Sequence, residues 1–180
     1  MALISLSLER LAVVRSIRKQ EVTVNDPIFG EVTQNLGHLE RQLSLEFLGS
    51  DFSIILAISC WDDEEILPDQ RNAFEKFMAS NLLSSGAIEE AIFTHYLRVV
   101  PEIRERTGQP FASANVPDIS SPYALAGLIK PTDLLIKRTL DAPKRIVGLL
   151  FDCTWDIDNG LAVRIENEKI VEVGSQDIVL

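Results

Sequence analysis

The chain has 180 residues, of which 46% are hydrophobic, and its formal net charge at pH 7 is -10. This length and apolar content predict one domain with its own core, and no apolar run approaches the ~20 residues of a membrane helix. The negative charge repels phosphate backbones and anionic membranes and attracts basic partners, so it disfavours direct binding to nucleic acid or to a membrane.

The first twenty residues differ in pattern from the rest. Residues 4–8 alternate as a strand would, whereas residues 11–17 have the three- and four-residue spacing of a helix. We favour a short amphipathic helix, or an extension outside the core, for residues 1–20. Residues 21–180 are then predicted to form a single α+β domain.

The two cysteines, Cys60 and Cys153, both lie in largely apolar stretches. Such positions are typical of reduced, buried thiols in a cytoplasmic protein, and they do not form the cysteine framework of a small secreted domain. We therefore predict a cytoplasmic protein without a disulfide.

The residue pattern in the first half of the sequence predicts an antiparallel meander followed by helices. Period-two alternation over residues 22–60, broken by turn residues, predicts antiparallel strands. An apolar stripe then predicts a helix from Pro68 to Leu83, and a second helix follows until Pro101, which we expect to kink or end it. The intervening run of four acids after Trp61 favours a solvated loop over a binding patch.

The second half begins with a segment rich in proline and serine, residues 108–122, which predicts a long loop. We expect a short helix at residues 123–129 that stops before Pro131, and then a strand at 133–140. The closing segment, 148–180, reads as two apolar strands around a Trp-Asp-Ile-Asp-Asn-Gly turn, with a tight hairpin and a last strand. The fold class is therefore α+β, with an antiparallel sheet built from N- and C-terminal strands and two central helices packed on one face.

The acidic turn of the closing segment is the one place in the sequence that suggests a ligand-binding site. A calcium loop of the EF-hand type places acids at its first, third and fifth positions, but with Gly160 sixth the first and third are Trp155 and Ile157. The motif fails, so we predict no metal and no cofactor. The sequence also lacks a nucleophile elbow, a phosphate-binding glycine loop and paired metal-binding cysteines. His95 lies on an apolar helix stripe, where a structural role is favoured over catalysis.

The segment 148–180 resembles the end of a bacterial family of unknown function. In that family a Leu-Leu-Phe-Asp/Glu-x-x-Trp-Asp-x-x-x-Gly-x-x-Val strand pair is followed by Val-Gly-x-Gln-Asp. Residues 26–31, 70–77 and 92–96 are also similar to the family pattern. Family members commonly carry an acid and a histidine in the turn, where this chain has Asp158 and Asn159. The resemblance to proteins near toxin and contact-inhibition loci implies an immunity or other binding role.

Three functional hypotheses follow. The first is a non-enzymatic, cytoplasmic protein-binding domain, in its specific form an immunity protein that neutralises a basic toxin through an acidic surface. The second is a small enzyme, or a protein that binds a divalent cation or ligand, and the third is a structural subunit that self-associates through its N-terminal helix. The binding residues of the first hypothesis are Trp155, Asp156, Asp158, Asn159 and Asp177, whereas the second uses Asp152, Asp156, Asp158 and Asp177. A purely structural alternative packs Trp155 over the sheet with its N–H on a polar partner.

Overall fold

The computed structural model describes residues 22–61, 64–140 and 144–180, apart from the side chain of Phe111. The prediction for residues 1–20 lies outside the described residues.

Eight strands form a single sheet in which the spatial order follows the chain order. Strands β1–β4 pair antiparallel with their neighbours, and so do strands β5–β8. The strands are β1 (Thr23–Asp26), β2 (Gly30–Asn35), β3 (His38–Phe47), β4 (Ser50–Ser59), β5 (Ile129–Ile136), β6 (Ile146–Cys153), β7 (Leu161–Glu166) and β8 (Lys169–Gly174). The chain thus has the mixed α and β character predicted from sequence.

One junction departs from the predicted antiparallel sheet. β4 and β5 pair in parallel, with Ile55 opposite Asp133 and Ile58 opposite Ile136. Two parallel neighbours need a crossover connection, whereas antiparallel neighbours can be joined by a short hairpin. The helical segment lies at this junction, so it serves as the crossover between two antiparallel halves. Its elements are α1 (Pro68–Ala79), α2 (Ala87–Thr107), α3 (Gln109–Asn115) and the 3₁₀ helix η1 (Pro122–Gly127); a second 3₁₀ helix, η2 (Gln176–Ile178), ends the chain.

The buried side chains fall into two clusters that divide along β4. Ile54, Leu56 and Ile58 belong to a large cluster that also contains buried residues of α1 and α2. Ala57 belongs to a small second cluster, which the C-terminal Val179 joins. Successive strand residues point to opposite faces of a sheet, so β4 is buried on both faces, as its continuous apolar run predicts.

Two boundaries near prolines differ from the predictions, since the second helix does not end at Pro101 and the strand predicted from residue 133 begins at Ile129; the short helix ends before Pro131 as predicted. α2 continues through Pro101 to Thr107. Proline lacks the N–H that would donate to the carbonyl of Leu97 in the helix. Because Leu97 is 49% exposed, water can donate to this carbonyl instead. Pro131 lies inside β5, next to a register shift between Pro131 and Asp133. Bulges are among the few positions where a sheet tolerates proline.

The predicted long loop at residues 108–122 contains α3 instead. Its proline, Pro110, occupies the first turn, where the missing N–H costs nothing. Arg104 of α2 fixes the exit of α3: its guanidinium donates to the carbonyl of Val116 at 2.9 and 2.6 Å and pairs with Asp118. Side-chain hydrogen bonds from a neighbouring helix therefore order a segment that composition alone describes as irregular.

A nearly buried ion pair ties the first hairpin to α1. Asp26 is 4% exposed, and its carboxylate accepts hydrogen bonds from the backbone N–H groups of Ile28 and Phe29 at 2.9 and 3.0 Å. Arg71 approaches the other oxygen with Nε and Nη2, each at 2.8 Å. Burial raises the pKa of Asp26, but these hydrogen bonds outweigh it and hold the pKa below its ordinary value. Phe29 and Phe74 pack beside the pair, with ring centroids 5.1 Å apart.

Candidate functional site

The acidic turn after β6 is stabilised by its own polar groups. Asp156 Oδ1 accepts hydrogen bonds from the backbone N–H and the side-chain amide of Asn159, at 3.3 and 2.8 Å. The carbonyl of Asp156 accepts from the N–H of Gly160 at 2.9 Å. Two of the predicted binding residues therefore hold the turn in one conformation.

The same turn contacts the C-terminal 3₁₀ helix. The N–H of Gln176 donates to the carbonyl of Asn159 at 3.1 Å, and its side-chain amide donates to the carbonyl of Phe151 at 3.1 Å. Gly160 has φ +60°, and a Cβ at this position would lie 2.4 Å from Gln176 Nε2. Only glycine fits there.

This contact brings two acidic residues that are far apart in the sequence to the same edge of the fold. Asp158 precedes Asn159, Asp177 follows Gln176, and both aspartates are exposed. We name this surface, consisting of Asp156, Ile157, Asp158, Asn159 and Asp177, the C-terminal acidic edge. Four of the five residues proposed from the sequence lie on it.

Trp155, the fifth predicted binding residue, is in the core. It is 5% exposed, and its ring meets the ring of Tyr96 in a T-shaped contact with centroids 4.9 Å apart. Tyr96 in turn donates a hydrogen bond from its hydroxyl to the carbonyl of Pro117 at 2.5 Å. Trp155 therefore fixes the start of the acidic turn on the core, and its ring does not stand at the surface for a partner to touch.

The exposed apolar residue of the edge is Ile157, which sequence reasoning missed. Ile157 is 71% exposed and borders a groove of about 460 Å³. Phe52, Leu128 and Cys153 line the groove, with Lys130 and Asp152 at neighbouring positions. The hydrophobic residue between two aspartates was a signal for this arrangement, but a pattern cannot tell an inward from an outward side chain in a turn.

The two thiols are buried and free, as predicted. Burial raises the pKa of Cys153 to about 11, and it also raises the pKa of Cys60. The thiolate is the reactive form of cysteine, so neither group is activated at neutral pH.

His95 has the structural surroundings expected for it. Burial lowers the pKa of His95, and the nearby Arg98 guanidinium lowers it further, while a hydrogen bond to the backbone of Val173 acts in the opposite direction. Arg98 Nη2 lies 3.1 Å from His95 Nδ1, which must accept because a guanidinium only donates. These contacts join α2 to β8.

The alternative cation site needs several carboxylates to converge. Among residues 22–61, 64–140 and 144–180, no group of three or more His, Cys, Asp or Glu side chains could hold a metal ion. Asp152, Asp156, Asp158 and Asp177 therefore do not form such a group. Asp156 directs an oxygen to its own turn, and Asp152 lies on β6 opposite Lys130 of β5.

The fold and the edge define a mixed α/β domain with an eight-stranded, mostly antiparallel sheet and an acidic surface at one end of it. Residues 28–180 match the family model described as "Domain of unknown function (DUF6985)", and the chain belongs to this family. The prediction of an uncharacterised family is thereby confirmed. Neither the curated proteins nor the solved structures gave a match to this chain. Within the part of the chain that the structure describes, no helix is long and apolar enough to cross a membrane.

Proposed function

We propose that this domain is a non-enzymatic, protein-binding domain of the bacterial cytoplasm, and that its partner is a basic protein. The specific form of the proposal is an immunity protein that neutralises a basic toxin. The C-terminal acidic edge is the proposed contact surface. Neither nucleic acid nor a membrane is expected as the partner, because the net charge of -10 repels both.

One observation carries this proposal: Ile157 is 71% exposed between two acidic residues on a turn that is closed by its own hydrogen bonds. Interfaces concentrate their binding energy in a few well-packed, desolvated side chains near the centre, with a polar rim that remains partly hydrated. Ile157 and the adjacent groove supply the apolar centre, and Asp158 and Asp177 supply the rim. The rim selects for positive charge on the partner.

The turn is also held in place before any partner arrives. Asn159 is bonded to Asp156, Gln176 bonds the turn to η2, and Trp155 packs its beginning onto Tyr96. A surface that is already ordered loses less conformational entropy on binding, so more of the contact energy appears as affinity. We propose that the helices, packed on one face of the sheet, support this edge from beneath.

The two thiols support the proposed compartment. Cys60 and Cys153 are both free and buried. Proteins of the reducing cytoplasm commonly carry such thiols, whereas small secreted domains use cysteines for disulfides.

The test uses the purified full-length chain and the purified product of the gene beside it. Binding is measured by calorimetry for the wild type, for an Ile157→Ser and Asp158→Asn double variant, and for a Glu75→Gln control. Glu75 is exposed on α1, away from the edge, so its loss changes charge without touching the proposed surface. We expect the double variant to bind at least tenfold more weakly and the control to match the wild type. A double variant that binds as tightly as the wild type would remove the edge from the interface.

A further inference from the structure

A second exposed apolar surface lies where the chain leaves β4. Trp61 is 70% exposed, and Leu36, in the turn between β2 and β3, is 86% exposed. Leu36 precedes Gly37 in the chain, and the Trp61 ring lies against Gly37, so both exposed residues belong to this end of the hairpin. Two large exposed apolar residues at one turn need an explanation, although single exposed apolar residues do not.

The Trp61 ring is held in a defined position. A Cβ on Gly37 would lie 3.4 Å from two ring atoms, which is van der Waals contact. The N–H of Cys60 donates to the carbonyl of Gly37 at 3.1 Å, and the N–H of Trp61 donates to Glu64 Oε2 at 3.2 Å. The ring therefore rests on the hairpin turn and is positioned before binding.

The hairpin turn sets the backbone of Leu36. Asn35 pairs with His38, so Leu36 and Gly37 form a two-residue loop, and both have positive φ, +43° and +86°. Loops of this kind need positive φ at both positions, because their twist then matches the twist of the flanking strands. The turn therefore holds the exposed Leu36 next in the chain to the glycine on which the indole rests.

The charge around the ring is negative. Glu64 and Glu65 are exposed. The nearby cation, Arg138, is already engaged: it pairs with Glu64 at 3.4 Å, donates to the carbonyl of Glu65 at 2.9 Å, and its side chain is only 17% exposed. A partner that covers this surface therefore contacts acidic side chains, because the Arg138 guanidinium is already paired and mostly hidden from solvent.

This surface is separate from the C-terminal acidic edge. Trp61 follows the end of β4 that is level with Ile136 of β5 and Val147 of β6, whereas the acidic turn follows the other end of β6. A strand advances ~3.3 Å per residue, so the two surfaces lie on the order of 25 Å apart, at opposite ends of the sheet.

We propose that Trp61 and Leu36 are the anchor of a second docking surface, and that its occupant is a basic protein segment carrying lysine or arginine beside an apolar side chain. The inference rests on the proposed function for the class of partner, and it adds a surface that the acidic edge does not include. The indole face attracts a cation, Leu36 receives the apolar group, and the glutamates complement the remaining charge.

The test selects the occupant without bias, by panning random twelve-residue peptides displayed on phage against the immobilised full-length chain. Peptides that bind are synthesised, and their affinities are measured by fluorescence anisotropy at 150 mM NaCl for four proteins. These are the wild type, Trp61→Ala, the edge variant Ile157→Ser, and Tyr123→Ala, which removes an 80% exposed aromatic ring elsewhere. Circular dichroism confirms that each variant is folded, which is expected because all three side chains are exposed.

The expected result is a set of peptides enriched in lysine or arginine that lose at least tenfold in affinity with Trp61→Ala and keep it with Ile157→Ser and Tyr123→Ala. Binders that depend on Ile157 but not on Trp61 would support the acidic edge and overturn this inference. Binders that none of the variants weakens would also overturn this inference. Acidic or uncharged binders, or no binders, would overturn the proposed occupant.

Discussion

Replacing Asp26 by asparagine removes the charge from a carboxylate that has four hydrogen-bond donors around it. Removing one member of a buried ion pair costs about 3–5 kcal/mol when the other member stays fully buried. The Arg71 side chain is 29% exposed, so water can reach it after the change, and asparagine can still accept from the N–H groups of Ile28 and Phe29. We therefore expect Asp26→Asn to lower the free energy of unfolding by about 1.5–3 kcal/mol, the range of a hydrogen bond to a charged group.

The dependence on pH separates a charge effect from a packing effect. The pKa of Asp26 is lower in the folded state than its ordinary value of 3.8. Its contribution is therefore fully present above that value and is lost as the pH falls through the lowered folded-state pKa. Urea unfolding of both proteins between pH 7 and pH 2.5, followed by circular dichroism, measures the difference between their free energies of unfolding. This difference should be constant at neutral pH and should disappear in acid. A difference below about 0.5 kcal/mol at pH 7, or one that persists unchanged into acid, would refute the reasoning.

Three further predictions concern the region around the acidic turn. Gly160→Ala should destabilise the fold by more than the roughly 1–2 kcal/mol of a left-handed alanine, because its Cβ would also overlap the Gln176 amide, and thermal unfolding measures the loss. Tyr96→Phe should lower the free energy of unfolding in urea by about 0.5–1.5 kcal/mol, since it removes the hydroxyl that donates to the carbonyl of the half-buried Pro117; an unchanged midpoint would count against that bond. Cys153 should react with a thiol reagent at pH 8 only after denaturant is added, because burial keeps its pKa near 11, and rapid labelling of the native protein would contradict this.

The strands could be predicted from the sequence because their signals are local. Period-two alternation with turn residues between the runs marks the meander, and the Asn159-Gly160 pair marks the turn after β6. The structure has β3, β4, β6, β7 and β8 where these patterns place them. Sheet pairing between distant strands leaves no such local trace, so the parallel contact of β4 with β5 could not be read from the chain.

The errors have a common physical cause in tertiary contacts. Proline in α2 is tolerated because the freed carbonyl is near solvent, and α3 is ordered by Arg104, which lies outside it in the sequence. The same applies to the candidate site. The binding hypothesis placed Trp155 at the surface and the structural alternative packed it over the sheet; Trp155 is buried, and Trp61 is exposed. Which of two tryptophans points outwards is decided by the neighbours that pack on it, here Tyr96 for Trp155 and Gly37 for Trp61.

The central claim is that a negatively charged, non-catalytic surface of this domain meets a basic protein. The salt dependence of the association rate with the product of the neighbouring gene, measured by biolayer interferometry at 50 and 500 mM NaCl, tests it most directly. Oppositely charged surfaces attract each other at a distance at low salt and so speed their encounter. At the higher salt concentration, screening removes most of that attraction beyond ~5 Å. The account predicts an association rate that falls at least tenfold across this range; a complex whose association rate does not change with salt would contradict it.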